Sequence, residues 1–209
     1  MQRSFILVLI VITWIGFTPI AGHGSSSTGL TVERMRRIVD FQDALNRSFG
    51  CEYVVAVGQT TRYATGNSAG IILVDKDFVA RVDSGSLFFA IAHEYAHAFL
   101  GHDLQLYEAS AELARYGYSP SRLAELRRRF EKEADGIAAR KTRQYGLTLD
   151  HFVEFLLAQA DPEKGLSTDQ RIYSRPKERA EYIVAVYRSA SRLVLEPAFW
   201  RPPSFRSEQ

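Results

Sequence analysis

The chain has 209 residues, of which 46% are hydrophobic and 24% are charged, so its composition fits a globular domain and excludes collagen, coiled coil and bulk disorder. Its 26 basic and 24 acidic side chains give a formal net charge of +2, which argues against a dedicated nucleic-acid-binding protein. A single cysteine, Cys51, excludes an internal disulfide framework and any zinc site built from several cysteines.

Residues 1–24 are predicted to be a secretory signal peptide. Arg3 provides a short basic start, an apolar run extends from Phe5 to Phe17, and small residues surround Gly22. An uncleaved signal anchor is the alternative, because the apolar stretch approaches the ~20 residues that cross a bilayer. Both interpretations predict an exported protein of the periplasm or cell envelope, which associates with a membrane only through its N-terminus.

Residues 25–195 are predicted to form one α+β domain that is mainly helical, and residues 196–209 a proline-rich tail. Helical spacing of apolar residues predicts a first helix over 31–49, which Gly50 ends. Two β-rich runs, 53–57 and 70–74, flank a polar stretch typical of a loop. The pattern is then helical, with predicted helices over 86–102, 104–115 and 120–145, a short one capped by Thr148 or Asp150, and a last one from Pro176 to about 193.

His93 and His97 flank Glu94 in a segment predicted to be helical. Four residues advance a helix by about 400°, so both rings emerge on one face and can bind a single zinc ion. Glu94 stands beside them, where a carboxylate can accept a proton from a water molecule. This is the HExxH arrangement of zinc metallopeptidases. A pair of surface histidines is the alternative, which the apolar flanking residues disfavour because buried imidazoles need polar partners.

A catalytic zinc site has a third protein ligand, and the sequence offers two candidates. His102 is the nearer, but it follows His97 by five residues. In the metzincin motif the third histidine follows the second by six residues, so His102 does not fit that spacing. Glu131 lies in the long helix, on the same face as Asp135, which is placed to orient a ligand histidine through its second ring nitrogen. Alanines on this face permit a close approach to the zinc helix. A solvated surface charge is the alternative interpretation of Glu131.

Three segments carry a family resemblance. Residues 93–102 resemble the HExxH-xxxx-H stretch of zinc endopeptidases of the HtpX and CAAX-prenyl-protease type. Residues 131–135, Glu-Lys-Glu-Ala-Asp, resemble the second signature of that family, a glutamate followed by Ala-Asp at three and four residues. Residues 173–179, Tyr-Ser-Arg-Pro-Lys-Glu-Arg, resemble the third, which is usually Ser/Thr-His-Pro with an arginine a few residues on. The resemblance covers about residues 31–190.

The resemblance implies a zincin-like minigluzincin domain with a small β-sheet, a zinc-binding active-site helix and one zinc ion per chain. It implies that Glu94 is the general base and that the zinc ligands are His93, His97 and Glu131. Support for the ligands or for the transition state is expected from Asp135, His102 and Arg175.

Arg175 stands where the family has a histidine thought to steady the transition state. Its guanidinium cannot serve as an acid or base near neutral pH, but its fork of donors is suited to an oxyanion. The same substitution is also expected in a relative that binds zinc without cutting proteins.

The predicted function is zinc-dependent hydrolysis of peptides or unfolded proteins, among exported or membrane-associated chains. The substrate backbone is expected to add as an extra strand along residues 70–74. The alternative is a zinc-stabilised scaffold of the cell envelope that holds client proteins without cutting them.

Overall fold

The structure is a computed structural model that describes residues 30–116, 120–159, 161, 163–166, 171 and 173–191. The predicted signal peptide or anchor and the predicted C-terminal tail lie outside these residues. The described helices and strands, in chain order, are α1 (Val32–Phe49), β1 (Val54–Gly58), β2 (Ala64–Gly66), β3 (Ile71–Asp75), α2 (Lys76–Arg81), α3 (Ser84–Leu100), α4 (His102–Tyr116), α5 (Pro120–Gln144), α6 (Asp150–Ala158) and α7 (Pro176–Ser189).

The described chain is mainly helical and carries one small three-stranded sheet, which confirms the α+β prediction. The strand order is β1-β3-β2. Strand β3 pairs in parallel with β1, where Val54 faces Ile71, and antiparallel with β2, where Ala64 faces Val74. Because β3 is central, both of its edges are already paired. The prediction that a substrate strand adds along residues 70–74 is therefore wrong, and β2 is a strand where a loop was expected.

Helix α1 confirms the prediction of a helix over 31–49, except that it begins one residue later, at Val32. The Thr31 side chain accepts a hydrogen bond of 3.2 Å from the backbone N–H of Arg34, which satisfies one free donor of the first turn. Gly50 follows the helix with φ 67°, a left-handed conformation that glycine adopts without a Cβ clash. Ile38, Phe41 and Leu45 lie on the buried face of this helix.

Helix α3 runs through the centre of the described core. Asp83 caps its N-terminus by accepting a hydrogen bond of 2.9 Å from the Ser86 N–H. Gly101 ends it with φ 65°, so the predicted helix over 86–102 stops early and His102 begins α4 instead. Most of its 17 residues are buried, because α1, α5, α6 and the sheet pack around it.

Helix α5 packs closely along α3. The side chains that permit this approach are small and fully buried: Ala134, Ala138 and Ala139. This confirms the close approach that the sequence predicts for the alanine face. Helix α7 packs on α5 and α6 in turn. The expected cap of α6 is wrong, because Leu149 occupies the cap position and makes no side-chain hydrogen bond there.

Candidate metal centre

Two imidazole nitrogens meet beside the buried face of α3. His93 and His97 are one helical turn apart, and their Nε2 atoms lie 3.0 Å from each other. His93 is buried beside the stacked ring of Phe89, and His97 is half-buried. The four-residue spacing therefore directs both rings at one point, as the sequence predicts.

Glu131 of α5 brings a carboxylate to the same point. Its Oε2 lies 3.4 Å from Nε2 of His93, and its Oε1 lies 3.7 Å from Nε2 of His97. One ligand atom from each of the three residues lies within 4.8 Å of the others. Two nitrogens bound to one tetrahedral zinc ion are roughly 3.3 Å apart, so the observed spacing suits a single ion. The three residues form a candidate metal-binding cluster.

The charges of the cluster also suit a cation. Burial lowers the pKa of His97 to about 4, and His93 adds to the effect, so this ring is neutral at neutral pH. Burial would raise the pKa of Glu131, but the hydrogen bond to His93 and the electrostatic effects of the neighbouring histidines and Arg179 lower it to about 2. Burial also opposes a charge on His93, yet Asp135 and Glu131 raise its pKa to about 10. The carboxylates of Asp135 and Glu131 therefore favour positive charge at His93, which a divalent cation also supplies.

Asp135 and Arg179 stand behind His93. Oδ1 of Asp135 lies 3.0 Å from Nδ1 of His93, a close pair whose angle departs from that of a well-formed hydrogen bond. Arg179 of α7 donates two hydrogen bonds of 2.7 Å to Asp135, one to each carboxylate oxygen. Burial would raise the pKa of Asp135, but Arg179 and His93 outweigh it and hold the pKa well below its usual range. Asp135 is thus an ionised, fixed partner for the ring nitrogen of His93 that faces away from Glu131.

His102 stands behind His97 and outside the cluster. Its Nδ1 lies 3.0 Å from Nδ1 of His97, and its ring stacks on Phe130 with centroids 4.0 Å apart. Its Nε2 lies 3.6 Å from Oε2 of Glu133. Burial lowers the pKa of His102 to about 4, and His97 adds to the shift. Glu131, rather than His102, is the third member of the cluster, because the turn at Gly101 directs His102 to the far side of His97.

Glu94 lies between the cluster and strand β2. It is half-buried, and burial raises the pKa of its carboxyl, an effect that the charge of Glu131 reinforces. His93 and a backbone hydrogen bond from Gly66 act in the opposite direction. A Cβ atom on Gly66 would lie 3.0 Å from the Glu94 carbonyl oxygen, so glycine permits β2 to lie directly on α3 here. Glu94 is therefore held beside the cluster without belonging to it.

Comparison with known proteins finds no relative of this chain. No protein-family model, no curated protein and no solved structure matches this chain. None of the described helices is long and apolar enough to cross a membrane. The case for the site therefore depends on the contacts among its own residues.

Arg175 points away from the cluster. It stands at the N-terminus of α7 with an exposed side chain, and its Nη1 lies 3.3 Å from Oε1 of Glu178. Its backbone N–H is also 3.3 Å from Oε2 of the same glutamate. The structure therefore pairs Arg175 with a surface carboxylate, instead of bringing it to the metal-binding residues.

Two residues near the cluster are given no role by the sequence. Arg179 belongs to the third family-like segment, whose pattern includes an arginine at this place. That pattern could have identified Arg179 as a residue near the site. Tyr173 belongs to it too, but tyrosines are scattered along the chain and no spacing distinguishes this one. Burial raises the pKa of the Tyr173 hydroxyl, and the charge of Glu131 adds to that shift.

Proposed function

We propose that this protein is a zinc-dependent endopeptidase of zincin-like fold. The observation that carries the proposal is the convergence of His93, His97 and Glu131, with Glu94 beside them and outside the ligand set. Two imidazoles and one carboxylate are a ligand set of catalytic zinc sites, which keep a fourth position for water or substrate. Structural zinc sites are instead closed by four protein ligands. An adjacent carboxylate that is not a ligand is the remaining requirement for hydrolysis.

Glu94 acts as the general base. A zinc ion held by these residues would act as a Lewis acid, which lowers the pKa of a water molecule and polarises the carbonyl of the scissile bond. Glu94 takes a proton from the attacking water as its oxygen bonds to the carbonyl carbon, and gives that proton to the amine nitrogen as the C–N bond breaks. Burial supports this role, because it raises the pKa of Glu94 and so makes the carboxylate a stronger base.

Each histidine of the cluster has a neighbour that fixes the orientation of its ring: Asp135 for His93 and His102 for His97. Asp135, itself held by Arg179, contacts Nδ1 at the edge of the His93 ring. His102 contacts the corresponding nitrogen of His97. Such partners set the ring orientation of a metal ligand and increase its basicity.

The substrate is a peptide or an unfolded protein. In the described sheet, β2 pairs with β3 along one side only, and its Gly66 lies against the backbone of Glu94. A peptide that adds as a strand beside β2 passes close to the base, and main-chain pairing requires little sequence in the substrate. Because the sequence predicts a signal peptide or signal anchor at the N-terminus, the expected substrates are exported or membrane-associated proteins of the cell envelope.

The test compares wild-type protein with Glu94→Gln and with Glu108→Gln, an exposed glutamate on α4. Zinc content and cleavage of casein are measured on the same samples. Wild type and both variants are expected to hold about one zinc ion per chain. Casein cleavage is expected to disappear in Glu94→Gln alone, since glutamine cannot accept the proton. Cleavage that survives this substitution contradicts the role of Glu94.

The alternative function, a zinc-stabilised scaffold, is favoured by Arg175. Its side chain is paired with Glu178 at the surface, where the similar endopeptidases use a histidine in the site. A scaffold binds zinc and unfolded casein but cleaves none of it. Full zinc occupancy without cleavage in wild type therefore identifies the scaffold function.

A further inference from the structure

A cavity of about 760 Å³ opens between α4, α5 and the start of α7. None of the described residues that line it belongs to the metal-binding cluster. Its volume lies in the range of about 300–1000 Å³ that is typical of ligand-binding sites. The cavity is therefore a second candidate site beside the metal centre, and we name it the basic cavity after its charged lining.

Cationic side chains outnumber acidic ones in the basic cavity. The described lining contains these cationic residues: Arg122, Arg128, Arg129, Lys132, Arg171 and Arg175. The acidic residues of the same described lining are Glu112, Glu125 and Glu178. Leucines of α4 and α5 add an apolar part: Leu113, Leu123 and Leu126. The cavity therefore offers an excess of positive charge together with apolar contacts.

Three of the cationic groups have no acidic partner within the described part of the chain. Arg128, Arg129 and Lys132, all on α5, form no ion pair with any described residue. Arg171 and Arg175 differ, because each forms an ion pair with a carboxylate. The charge on the α5 side of the cavity is thus available to an anionic ligand.

Two of these three side chains are positioned by aromatic rings. Cζ of Arg129 lies 5.4 Å from the centroid of the Phe130 ring, and Nζ of Lys132 lies 4.8 Å from the centroid of the Tyr182 ring. A cation over a ring is attracted by the π electrons, while its N–H groups remain able to donate to a carboxylate. The rings therefore hold the charges in place without neutralising them.

The wall opposite α5 is fixed by contacts within the protein. Nη2 of the buried Arg171 forms an ion pair of 2.7 Å with Oδ1 of Asp161, and its Nη1 donates a hydrogen bond of 2.7 Å to the Glu163 carbonyl. Arg128 of α5 donates to the Arg171 carbonyl and so joins the two sides of the cavity. A ligand does not have to order this wall, which lowers the entropic cost of binding.

The basic cavity borders the metal centre along two helices. In α5, Lys132 directly follows Glu131 of the cluster. In α7, Glu178 directly precedes Arg179, whose side chain donates two hydrogen bonds to Asp135. Lining residues and residues of the metal centre are thus immediate neighbours in both helices, although their side chains belong to different sites.

The charges of the cavity are distributed unevenly along α5. The three unpaired cations stand within three residues of Glu131, which is about 4.5 Å along the helix axis. Glu125 is six residues from Glu131, or about 9 Å along the axis, and Glu112 lies across the cavity on α4. A negative group is therefore favoured at the end of the cavity that is nearest the metal centre.

We propose that the basic cavity binds an acidic segment of a polypeptide substrate. The inference rests on the proposed function, because a chain held here has its neighbouring residues beside the metal centre. Carboxylates of the segment pair with Arg128, Arg129 and Lys132, and its apolar side chains contact the leucines. Strand pairing beside β2 requires little sequence, so the basic cavity supplies the selectivity, for substrates that carry Asp or Glu at a distance from the scissile bond.

An anionic membrane surface suits the basic cavity less well than a peptide does. Glu112 and Glu125 line the part of the cavity that is farther from the metal centre, where they repel a uniform layer of negative headgroups. A peptide can carry its carboxylates at one end and apolar side chains at the other. The observed distribution of charge therefore favours a peptide.

The test measures binding of labelled peptides to the full chain in the Glu94→Gln background, so that no cleavage occurs. The capped peptides Leu-Leu-Ala-Glu-Glu, Leu-Leu-Ala-Gln-Gln and Leu-Leu-Ala-Lys-Lys carry the same fluorescein label, whose anisotropy reports binding. The acidic peptide is expected to bind about 10-fold more tightly than the glutamine peptide, and added salt is expected to reduce this difference. The lysine peptide is expected to bind most weakly. Equal affinities for the acidic and glutamine peptides overturn the proposal.

Arg129→Gln combined with Lys132→Gln removes two of the unpaired charges. The affinity for the acidic peptide is expected to fall about 10-fold, the combined effect of two exposed ion pairs, while the glutamine peptide binds as before. Arg140→Gln combined with Arg188→Gln is the matched control, because both arginines are exposed and lie outside the described lining. An equal loss in this control assigns the binding to the net charge of the chain and overturns the proposal.

Arg129→Glu reverses one charge and distinguishes recognition from a structural role. The acidic peptide is expected to bind about 5-fold more weakly and the lysine peptide about 5-fold more tightly. Weaker binding of both peptides identifies a structural role for Arg129 and overturns the proposal. Vesicles of phosphatidylglycerol are the remaining probe. Vesicle binding that requires Arg129 and Lys132, without a preference for the acidic peptide, identifies a lipid site and also overturns the proposal.

Casein cleavage by wild type separates this inference from the proposed function. If casein is cut but the acidic peptide has no advantage, the proposed function stands and the assignment of the basic cavity fails. If the acidic peptide binds through Arg129 and Lys132 but casein stays intact, the basic cavity holds acidic segments in a protein that does not cut them, and the proposed function fails.

Discussion

Arg179 donates two hydrogen bonds of 2.7 Å to Asp135, across the interface between α7 and α5. Asp135 in turn lies 3.0 Å from Nδ1 of His93, a member of the candidate metal cluster. A side chain that touches none of the three cluster residues by hydrogen bond therefore sets the orientation of one of them. The same pair joins the last described helix to the metal centre.

Arg179→Ala is expected to weaken zinc binding by about 10- to 100-fold, the usual effect of removing a partner of a metal-binding histidine. It is also expected to lower the free energy of unfolding by about 3 kcal/mol, because Asp135 keeps a buried charge without its counter-ion. Chelator competition and urea unfolding measure the two effects. Arg188→Ala, an exposed residue of the same helix, is the control. Equal zinc affinity in both variants would contradict the link between α7 and His93.

Glu131→Ala is expected to abolish stable zinc binding, because it removes one of three ligands and leaves two histidines with Nε2 atoms 3.0 Å apart. Glu133→Gln, two residues along the same helix, is expected to retain the ion. Equilibrium dialysis followed by elemental analysis gives the zinc content of each. If Glu131→Ala keeps its zinc while His102→Ala loses it, the third ligand is His102.

Zinc binding to the metal-free protein is expected to strengthen as pH rises. Burial disfavours a charged His93, but Asp135 and Glu131 raise its pKa to about 10, so the ring carries a proton at neutral pH and zinc must displace it. Between about pH 4, the pKa of His97, and about pH 10 the binding constant therefore rises about tenfold per pH unit, with about one proton released for each ion bound at His93. Calorimetric titration in buffers of different ionisation enthalpy measures the release. Asp135→Asn, which removes one of the charges that raise this pKa, should release fewer protons, and an unchanged count would rule out this origin of the shift.

Gly66→Ala is expected to destabilise the fold by about 1–3 kcal/mol and to reduce casein cleavage. Its new Cβ would lie 2.7 Å from Cδ1 of Ile72 and 3.0 Å from the Glu94 carbonyl oxygen, so β2 must move away from α3. Gly58→Ala is the matched control, since its Cβ meets only Cδ1 of Leu73 at 3.1 Å, the end of a flexible side chain. Urea unfolding of both variants tests the difference, and equal stabilities would argue against a close contact at Gly66.

Residues with a fixed local role could be predicted well from the sequence. Thr31 and Gly50 delimit α1, and the spacing of His93 and His97 fixes their common face, because helical geometry depends only on neighbours in the chain. The pairing of Glu131 with these histidines depends on contact between distant helices. The alanine face of α5 and the family-like pattern of residues 131–135 were the indications of it in the sequence.

Features decided by long-range packing were missed. The three residues of β2 lie in a polar stretch with no strand alternation, and they form a strand because β3 offers them a partner. The pairing of Arg175 with Glu178 at the surface depends on how the chain enters α7. That entry is set by Arg171, Asp161 and Glu163, whose contacts leave no periodic mark in the sequence.

The position of α7 has a consequence for synthesis. Helix α7 is the last described element, and it carries Arg179, while His93 and Glu131 stand well before it in the chain. Because a polypeptide is synthesised from its N-terminus to its C-terminus, the three residues of the cluster are made before Arg179, whose side chain donates the hydrogen bonds to Asp135. The candidate centre of the nascent chain therefore lacks this arginine until α7 has been made and packs on α5.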